Sequence, residues 1–293
     1  MTRAGIVTVA GKPNAGKSTL LNRIVGQKLS IVSQKPQSTR NRIVGIRSEG
    51  EVQMIVLDTP GLLDPKYPLQ RAMRGVALEA LAEADVIIYV ADAQDGNPPV
   101  LPAAAGIDST PSAPILLALN KIDSLSREQR ERLCVDLADV FCISALTGEG
   151  VDRLLDRVAA LLPESPFLYP EDEISTHSLR FFAAELVREA ALEQLEDEVP
   201  YSVACEVEEF REERTPVYIR AVLYVERESQ KRILIGAKGQ RIREIGRAAR
   251  GKIESFLDQS VYLDLWVKVL PNWRKSTTAL GRFGFRLPEE KPT

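Results

Sequence analysis

The sequence contains little cysteine and histidine: three cysteines and one histidine occur among 293 residues. Cys134, Cys142 and Cys205 form no C-x-x-C pair, and their odd number argues against a disulfide framework and against a structural zinc site. The chain also lacks a run of about 18 apolar residues, so no membrane-spanning helix is expected. A glycine-rich loop begins at Gly11, which leaves no room before it for the apolar core of a signal peptide. These absences favour a globular protein of a reducing compartment.

Neither sign of charge dominates the whole chain, yet the charges are unevenly distributed. The 38 lysines and arginines and the 41 acidic residues give a net charge of −3. Residues 229–286 contain 13 basic and 4 acidic residues, a balance of +9, whereas residues 1–228 have a balance of −11. This asymmetry predicts an acidic catalytic or regulatory part joined to a part that binds a polyanion. The length favours two domains, each large enough to bury its own core.

Short apolar runs alternate with helical patterns in the first half of the chain, an order typical of an α/β fold with a mostly parallel sheet. Strands are predicted at residues 6–10, 41–48, 52–58, 86–92, 115–120 and 140–144, and helices at 17–25, 71–84 and 154–162. The proline-rich stretch 94–114 is predicted to be mainly surface loop, with a short helix near 101–106.

A segment rich in proline and acidic residues predicts a domain boundary near residue 170. We expect domains at 1–168 and 177–293, joined by a linker at 169–176.

The second domain is smaller and has the α+β order α-β-β-α-α-β. Its elements are predicted as helix 177–196, strands 202–210 and 217–225, helices 230–235 and 240–257, and strand 261–269. Apolar residues recur at helical spacing along 240–257, and its arginines lie largely on the other faces.

One motif predicts the ligand class of the first domain. Gly11-Lys12-Pro13-Asn14-Ala15-Gly16-Lys17-Ser18 matches the phosphate-binding pattern G-x-x-x-x-G-K-[ST], after a predicted strand and at the start of a predicted helix. The backbone N–H groups of such a loop surround phosphate oxygens, the helix N-terminus adds its dipole, and the lysine contacts the outer phosphates. The nucleotide contacts predicted here are Gly11, Asn14, Ala15, Gly16, Lys17, Ser18 and Thr19.

Asn120-Lys121-Ile122-Asp123 follows a later strand and indicates which base is bound. The Asp123 carboxylate can accept from both the ring N1–H and the exocyclic amine of guanine, whereas adenine offers no such pair of donors. The motif therefore predicts a guanine nucleotide. Ser144-Ala145-Leu146, after the sixth strand, is predicted to offer a backbone N–H to the guanine carbonyl. The base contacts predicted are Asn120, Lys121, Asp123, Ser144, Ala145 and Leu146.

Asp58-Thr59-Pro60-Gly61 lies at the end of the third predicted strand, where a loop can sense the γ-phosphate. We expect Asp58 to hold Mg²⁺ through water and the Gly61 N–H to contact the γ-phosphate. A hydroxyl from the loop between the P-loop and the second strand is expected to complete the metal site. The predicted Mg²⁺ ligands are Ser18, Thr39 and Asp58, with Ser38 as an alternative to Thr39.

With these elements in order, residues 1–165 resemble a translation-factor-class P-loop GTPase domain. One departure concerns hydrolysis: Leu62 occupies the position at which a Ras-like protein carries the glutamine that orients the attacking water. The resemblance implies slow intrinsic hydrolysis, and no side chain is predicted as the catalytic base. Asn14 matches the position that coordinates K⁺ in related GTPases lacking this glutamine, and a bound K⁺ would neutralise charge between the phosphates.

Ile235-Gly236-Ala237-Lys238-Gly239 contains G-x-x-G between two predicted helices. Given the order of elements, the basic residue inside the loop and the arginine-rich helix after it, this part resembles a type II KH domain, which clamps the backbone of single-stranded RNA. The alternative is a tight turn with a solvated basic face. Trp266 is predicted to be structural, and Trp273 to stack on a base. The predicted RNA contacts are Ile235, Gly236, Ala237, Lys238, Gly239, Arg241, Arg243, Trp273, Arg274 and Lys275.

One GTPase domain followed by one KH domain, with the segment QSTRNRIVGI at 37–46 and Trp266-Val267-Lys268-Val269, resembles the Era family of bacterial GTPases over nearly the whole chain. The resemblance implies a cytoplasmic, monomeric GTPase that uses GTP/GDP and Mg²⁺, with K⁺ as an additional ion, and that associates peripherally with the inner membrane. It further implies binding to the single-stranded 3′ end of 16S ribosomal RNA and a role in processing and assembly of the small (30S) ribosomal subunit. The alternatives are an RNA-binding GTPase acting on large-subunit RNA or tRNA, and an RNA-binding module with a degenerate GTPase half.

Overall fold

The computed structural model describes residues 1–33, 35–133 and 139–288 of the chain. Within these ranges the chain forms two compact units. The first comprises Met1–Ser30, Thr39–Pro65 and Met73–Thr176, and the second comprises Ile31–Ser38, Lys66–Ala72 and His177–Thr293. The expected linker, 169–176, thus groups with the first unit. Two short segments from the first half of the chain group with the second unit, a division that the sequence did not indicate.

The first unit contains a six-stranded sheet. Its strands are β1 (Arg3–Ala10), β2 (Ile43–Glu49), β3 (Val52–Asp58), β4 (Val86–Asp92), β5 (Ile115–Asn120) and β6 (Val140–Cys142), and its helices are α1 (Lys17–Val25), most of α2 (Pro68–Glu83), α3 (Leu101–Ala105), α4 (Arg127–Leu133) and α5 (Val151–Leu161). The first residues of α2, 68–72, group with the second unit. The strand order is β2-β3-β1-β4-β5-β6. Neighbouring strands are parallel except for the antiparallel pair β2 and β3, so the prediction of a mostly parallel sheet is confirmed.

The central strands of this sheet are buried on both faces. In β4, residues 86–90 are all no more than 4% exposed. A strand that is covered on both faces needs a continuous apolar run of this kind. Because β1, β3, β4 and β5 run in the same direction, the loops that follow their carboxyl ends meet at one edge of the sheet. The P-loop, residues 58–61 and residues 120–123 are those loops.

The expected linker is hydrogen-bonded to the sheet. Gln53 Oε1 accepts from the Leu168 and Tyr169 N–H groups at 2.7 and 3.0 Å, and Gln53 Nε2 donates to the Tyr169 carbonyl at 2.8 Å. The Ile46 N–H donates to the Ile174 carbonyl at 2.8 Å. Proline and acidic residues predict irregular structure here, and these bonds show how an irregular segment is held in place without secondary structure.

The second unit contains a three-stranded sheet and five helices. Its elements are α6 (Leu179–Gln194), α7 (Val199–Ser202), β7 (Ala204–Arg211), β8 (Val217–Val225), α8 (Glu228–Ile235), α9 (Gln240–Leu257), β9 (Val261–Val269) and α10 (Thr277–Arg282). Strand β7 is antiparallel to β8, and β8 is parallel to β9. The predicted order α-β-β-α-α-β is present, with the short helices α7 and α10 in addition.

Helices α6 and α9 cover one face of this sheet. Alternate residues of β8, including Ile219 and Leu223, point toward the helices and are fully buried. Ile245 and Ile253 of α9 and Val187 of α6 belong to the same buried cluster. The strand period of two and the helical spacing of α9 therefore place their apolar residues in one core, as the sequence pattern predicts.

The segment after β9 covers part of the opposite face of the sheet. Tyr224 of β8 contacts the ring of Phe283, with ring centroids 5.4 Å apart. Trp273 is 0% exposed, and its indole N–H donates to the Ser202 carbonyl at 2.7 Å. Trp273 therefore cannot stack on an RNA base, and that prediction is wrong. Trp266, predicted to be structural, is 55% exposed.

Cys205 of the second unit is a free thiol whose pKa is raised by burial. Cys134 lies outside the described residues.

A separate expectation concerned the membrane. Within the described ranges, no helix is both long enough and apolar enough to cross a bilayer.

The two tryptophans provide a matched test of this packing. Trp273→Ala should lower the free energy of unfolding of the second unit by about 3–5 kcal/mol, because it removes a fully buried aromatic side chain. The exposed Trp266→Ala is the control and should cost about 1 kcal/mol or less. Both tryptophans lie in the second unit, so urea unfolding can be followed in each variant by the fluorescence of the remaining one. Equal losses in the two variants would contradict the assigned burial.

Candidate nucleotide-binding site and nucleic-acid interface

The loop between β1 and α1 has a backbone conformation that only glycine permits at two positions. Gly11 has a φ of +151°, and a Cβ there would lie 2.1 Å from the Val90 carbonyl oxygen. Gly16 has a φ of +97°, and a Cβ there would lie 2.1 Å from the Asn120 amide nitrogen. Helix α1 begins directly after Gly16, so its N-terminal N–H groups and its dipole point into the loop. The loop is therefore built to bind an anion.

Three hydroxyl groups surround the Asp58 carboxylate at the end of β3. Ser18 Oγ, Ser30 Oγ and Thr39 Oγ1 lie 2.7, 2.9 and 3.3 Å from Asp58 Oδ2. Asp58 is 0% exposed, and its Oδ1 atom has no hydrogen-bond partner. An oxygen-rich cluster with an unpartnered buried carboxylate oxygen fits Mg²⁺, which prefers oxygen ligands. The structure brings the predicted Ser18, Thr39 and Asp58 together and adds Ser30, which belongs to no motif.

Lys17 is buried next to this cluster. Its Nζ donates to the Lys12 carbonyl at 2.9 Å. Burial lowers the pKa of Lys17 to about 8, although the nearby Asp58 charge opposes this shift. Burial likewise raises the pKa of Asp58, against the opposing effects of Lys17 and the three hydroxyl groups. Both charged groups are poorly solvated, so a phosphate beside Lys17 and a divalent cation beside Asp58 would each stabilise the charged form.

Asn120, at the end of β5, connects the P-loop to the loop after β6. Its Nδ2 donates to the Ala15 carbonyl at 2.8 Å, and its Oδ1 accepts from the Ala145 N–H at 2.9 Å. A single side-chain amide therefore positions both loops. The Ala145 N–H is thus already bonded to Asn120, and the contact of a backbone N–H of Ser144-Ala145-Leu146 to the guanine carbonyl stays a prediction. Leu146, the next residue, is exposed.

The carboxylate predicted to bind the base is ionised and accessible. Asp123 is exposed, and its Oδ1 accepts from Ser144 Oγ at 2.5 Å. This hydrogen bond holds the pKa of Asp123 below its ordinary value. Lys121 Nζ lies 2.6 Å from Asp92 Oδ2, which fixes the lysine stem beside the site. Asp123 can thus accept two hydrogen bonds from a guanine ring, as the motif predicts.

Leu62 offers no group that could orient water. Its N–H donates to the Gly11 carbonyl at 3.0 Å, and its side chain belongs to a buried apolar cluster that includes Leu81 and Tyr89. A Cβ at Gly61 would lie 2.7 Å from the Pro13 nitrogen, so this loop packs directly on the P-loop. The geometry is consistent with a site that has no catalytic side chain at residue 62. The K⁺ role of Asn14 stays a prediction.

The G-x-x-G turn joins α8 to α9 and is braced by arginines. Gly236 has a φ of +72°, and a Cβ there would lie 2.8 Å from the Arg241 Cβ. Arg243 donates to the Lys238 and Gly239 carbonyls at 2.8 and 3.1 Å. Lys238, Arg241 and Arg243 are all exposed. The predicted basic residues therefore lie together on one accessible turn, which is the arrangement needed to approach a phosphate backbone.

Arg274 has a structural role that the sequence did not indicate. Its guanidinium is 2.5 Å from Glu226 Oε2 and lies 5.3 Å from the centre of the Tyr67 ring. These partners lie within the same unit, and the guanidinium has further N–H donors, so an RNA contact by Arg274 stays a prediction. The neighbouring Lys275 is exposed and remains a predicted contact.

Comparisons with known families find a match in each half of the chain. A family model described as 50S ribosome-binding GTPase matches residues 6–121, and a KH domain model matches residues 198–274. GTPase Era of Carboxydothermus hydrogenoformans is 44% identical to this chain and covers 97% of it and 98% of its own length. The chain belongs to the GTPase Era family. Era of Pseudomonas aeruginosa is also 44% identical, over 97% of this chain and 95% of its own length.

Solved Era structures share the fold of the whole chain. The crystal structure of Era in complex with MgGDPNP and nucleotides 1506–1542 of 16S ribosomal RNA matches with a TM-score of 0.91, 39% identity, and coverage of 97% of this chain and 99% of that one. A variant of Aquifex aeolicus Era bound to GDP·AlF4⁻ matches with a TM-score of 0.90, 38% identity and the same coverage, 97% and 99%. The predicted fold, an α/β GTPase domain followed by a KH domain, is confirmed for this Era-family protein.

Asp123→Asn should change the base preference of this Era-family protein. The amide cannot accept both N–H groups of guanine, so the affinity for GDP should fall by about 100-fold or more. Xanthine carries a carbonyl in place of the exocyclic amine, so the affinity for xanthosine diphosphate should rise. Titration with fluorescent analogues of both nucleotides measures this. Asp108→Asn, which removes an exposed carboxylate from the proline-rich loop, is the control and should leave both affinities unchanged.

The lowered pKa of Lys17 predicts a pH-dependent affinity for nucleotide. Above about pH 8 the nucleotide-free protein loses the Lys17 proton and must take it up again to bind phosphate. The affinity for GDP should therefore fall as the pH rises through this value, by up to about tenfold per pH unit. Lys17→Arg is the control, because its guanidinium stays charged throughout the range and its affinity should change less. The same pH dependence in both proteins would assign the titration to another group, such as the guanine ring.

Proposed function

We propose that this protein is a GTP-hydrolysing, RNA-binding switch that binds the 3′ end of 16S ribosomal RNA and assists processing and assembly of the small ribosomal subunit. One observation carries this proposal: the chain matches, over 97% of its length, an Era whose crystal structure contains MgGDPNP and nucleotides 1506–1542 of 16S ribosomal RNA. The nucleotide-site and G-x-x-G geometry of this chain support the same activity. The proposal places the protein in the cytoplasm as a monomer, and peripheral association with the inner membrane stays a prediction.

The residues of the first unit support slow GTP hydrolysis. Lys17 would contact the outer phosphates, and Asp123 would select guanine. Ser18, Thr39 and Asp58 would hold Mg²⁺, which neutralises charge on the phosphate oxygens when it is bound. Leu62 supplies neither a proton acceptor nor a hydrogen bond to the attacking water. We therefore expect a low intrinsic rate that rises when another group, from RNA, a partner or a bound K⁺, supplies what residue 62 lacks.

The residues of the second unit support binding to single-stranded RNA. Gly236 and Gly239 have no side chains, so the phosphate backbone can approach the turn closely. Lys238, Arg241 and Arg243 place exposed positive charge beside it. This arrangement holds the backbone without reading a sequence by itself, because phosphate contacts position a strand and base contacts specify it.

Contacts within the second unit support coupling between nucleotide and RNA. Residues 31–38, which directly precede Thr39, are bonded to α6: the Val32 N–H donates to Glu189 Oε1 at 3.2 Å. Arg188 donates to the Ser38 carbonyl at 2.5 Å. Ser38, the predicted alternative to Thr39 as a metal ligand, is therefore also bonded to α6 within this unit. Glu189 is also 2.7 Å from Lys252 of α9, the helix that follows the G-x-x-G turn. A conformational change of residues 31–38 would therefore act on the helices beside the RNA clamp.

The proposed switch follows from this coupling. GTP would order the loops around Thr39 and Leu62 and free the basic face of the KH domain for RNA, bound RNA would favour hydrolysis, and the GDP form would release the RNA. If GTP raises the affinity for RNA, RNA must raise the affinity for GTP by the same factor.

Two other interpretations are less well supported. An RNA-binding module with a degenerate GTPase half would not need the intact Lys17, Ser18, Asp58 and Asp123, all of which occupy the positions that the motifs require. A GTPase acting on large-subunit RNA or tRNA would share both sites but would prefer a different RNA, so competition between RNAs distinguishes it.

The experiment compares GTP hydrolysis in potassium buffer with and without single-stranded RNA from the 3′ end of 16S ribosomal RNA. We expect RNA to accelerate hydrolysis by the native protein and not by the double variant Ala237→Asp, Lys238→Asp, because two carboxylates in the turn repel the phosphate backbone. The basal rate without RNA should be the same in both proteins, since neither residue belongs to the nucleotide site. Acceleration of both proteins, or of neither, would contradict the proposed coupling between RNA binding and hydrolysis. Stronger stimulation by tRNA or large-subunit RNA would show that the protein acts on that RNA instead.

A further inference from the structure

Ser30 is a buried hydroxyl in an apolar segment. It lies between Leu29 and Ile31, and all three residues are at most 4% exposed. A buried hydroxyl is costly unless it is hydrogen-bonded. Ser30 Oγ donates to Asp58 Oδ2 at 2.9 Å. The Ser30 side chain therefore stabilises the Asp58 carboxylate at the end of β3, although Ser30 belongs to none of the nucleotide-binding motifs.

The backbone of Ser30 is attached to helix α1. Asn22 Oδ1 accepts from the Leu29 and Ser30 N–H groups, both at 2.8 Å, and Asn22 Nδ2 donates to the Ser30 carbonyl at 2.9 Å. Three hydrogen bonds from one amide thus fix an irregular segment to the helix that begins at Lys17. Because α1 also carries the P-loop, Ser30 is held in a constant position relative to the phosphate site.

Thr39, which donates to the same carboxylate oxygen, is held differently. It lies just before β2, in a loop that responds to the γ-phosphate in the proposed switch, and its contact to Asp58 Oδ2 is the longest of the three at 3.3 Å. When that loop moves, Asp58 loses one donor. Ser18 and Ser30 remain, and Ser18 is itself a predicted metal ligand.

We propose that Ser30, clamped by Asn22, is a positioning residue for Mg²⁺: it holds the Asp58 carboxylate in place whether or not Thr39 is engaged. This inference rests on the proposed nucleotide function and deepens it. Ser30 bonds Oδ2 and leaves the unpartnered Oδ1 of Asp58 available to the hydrated metal ion. Outer partners that orient a metal-binding carboxylate affect metal affinity without contacting the metal. Ser30 therefore preserves Mg²⁺ binding in the GDP form as well as in the GTP form.

The test measures how fast a fluorescent GDP analogue dissociates as a function of Mg²⁺ concentration, and in excess chelator. In Ser30→Ala the Mg²⁺ concentration that slows dissociation by half should rise by about 10- to 100-fold. The dissociation rate in chelator should stay as in the native protein. Thr39→Ala is the matched comparison: it should shift the Mg²⁺ dependence of a non-hydrolysable GTP analogue and leave that of GDP nearly unchanged.

Further variants separate positioning from packing. Ser30→Thr keeps the hydroxyl and should retain most of the native Mg²⁺ dependence. If Ser30→Ala does not fold, as judged by thermal unfolding, Ser30→Cys replaces the hydroxyl with a weak donor at similar volume and should show the same loss. An unchanged Mg²⁺ dependence in a folded variant that lacks the hydroxyl overturns the proposal. A native protein that does not bind GDP at all would instead refute the proposed function.

Discussion

A fully buried carboxylate at the end of a buried strand constrains the nucleotide site. An ionised Asp58 in this position is unfavourable unless donors and cations compensate for the water that it has lost. Ser18 comes from α1, Ser30 from the irregular segment after it, and Thr39 from the loop before β2, and all three converge on one carboxylate oxygen. The site is therefore complete only when three separate segments are ordered around β3. Binding of a metal and a phosphate then stabilises a cluster that the protein alone leaves partly unsatisfied.

The base side of the site follows a different principle, in which one neutral amide holds two loops together. Asn120 bonds the carbonyl of Ala15 and the N–H of Ala145, and its amide nitrogen lies so close to Gly16 that no side chain fits there. Phosphate binding and base binding are thus coupled through one residue: a displacement of Asn120 moves the P-loop and the base loop together. Position 16 therefore requires glycine because of Asn120, a residue that lies far away in sequence.

The sequence predicted the sheet, most element boundaries and the motif residues because these depend on short-range patterns. A strand end, a glycine turn and a helix start are adjacent in sequence, so Lys17 or Asp58 can be placed without knowing the fold. Ser30 was missed because its function depends on a carboxylate from another strand. Trp266 and Trp273 were assigned the wrong way round because strand alternation shows which residues share a face, and not which part of that face a later segment covers. The grouping of residues 31–38 and 66–72 with the second unit is also a long-range property.

Leu62 carries no catalytic group, and the chain segments near the predicted γ-phosphate loops are hydrogen-bonded within the second unit. Leu62 is buried among apolar side chains, so it cannot turn toward a γ-phosphate without leaving an apolar cavity behind. Residues 66–72, shortly after it, are bonded to the C-terminal segment through the Leu69 N–H and the Arg274 carbonyl, at 3.1 Å. Residues 31–38, shortly before Thr39, are bonded to α6 in the same unit. The chain segments next to both loops of the proposed switch are therefore held within the second unit. In that switch, the order of the two loops would control hydrolysis without a catalytic side chain at residue 62.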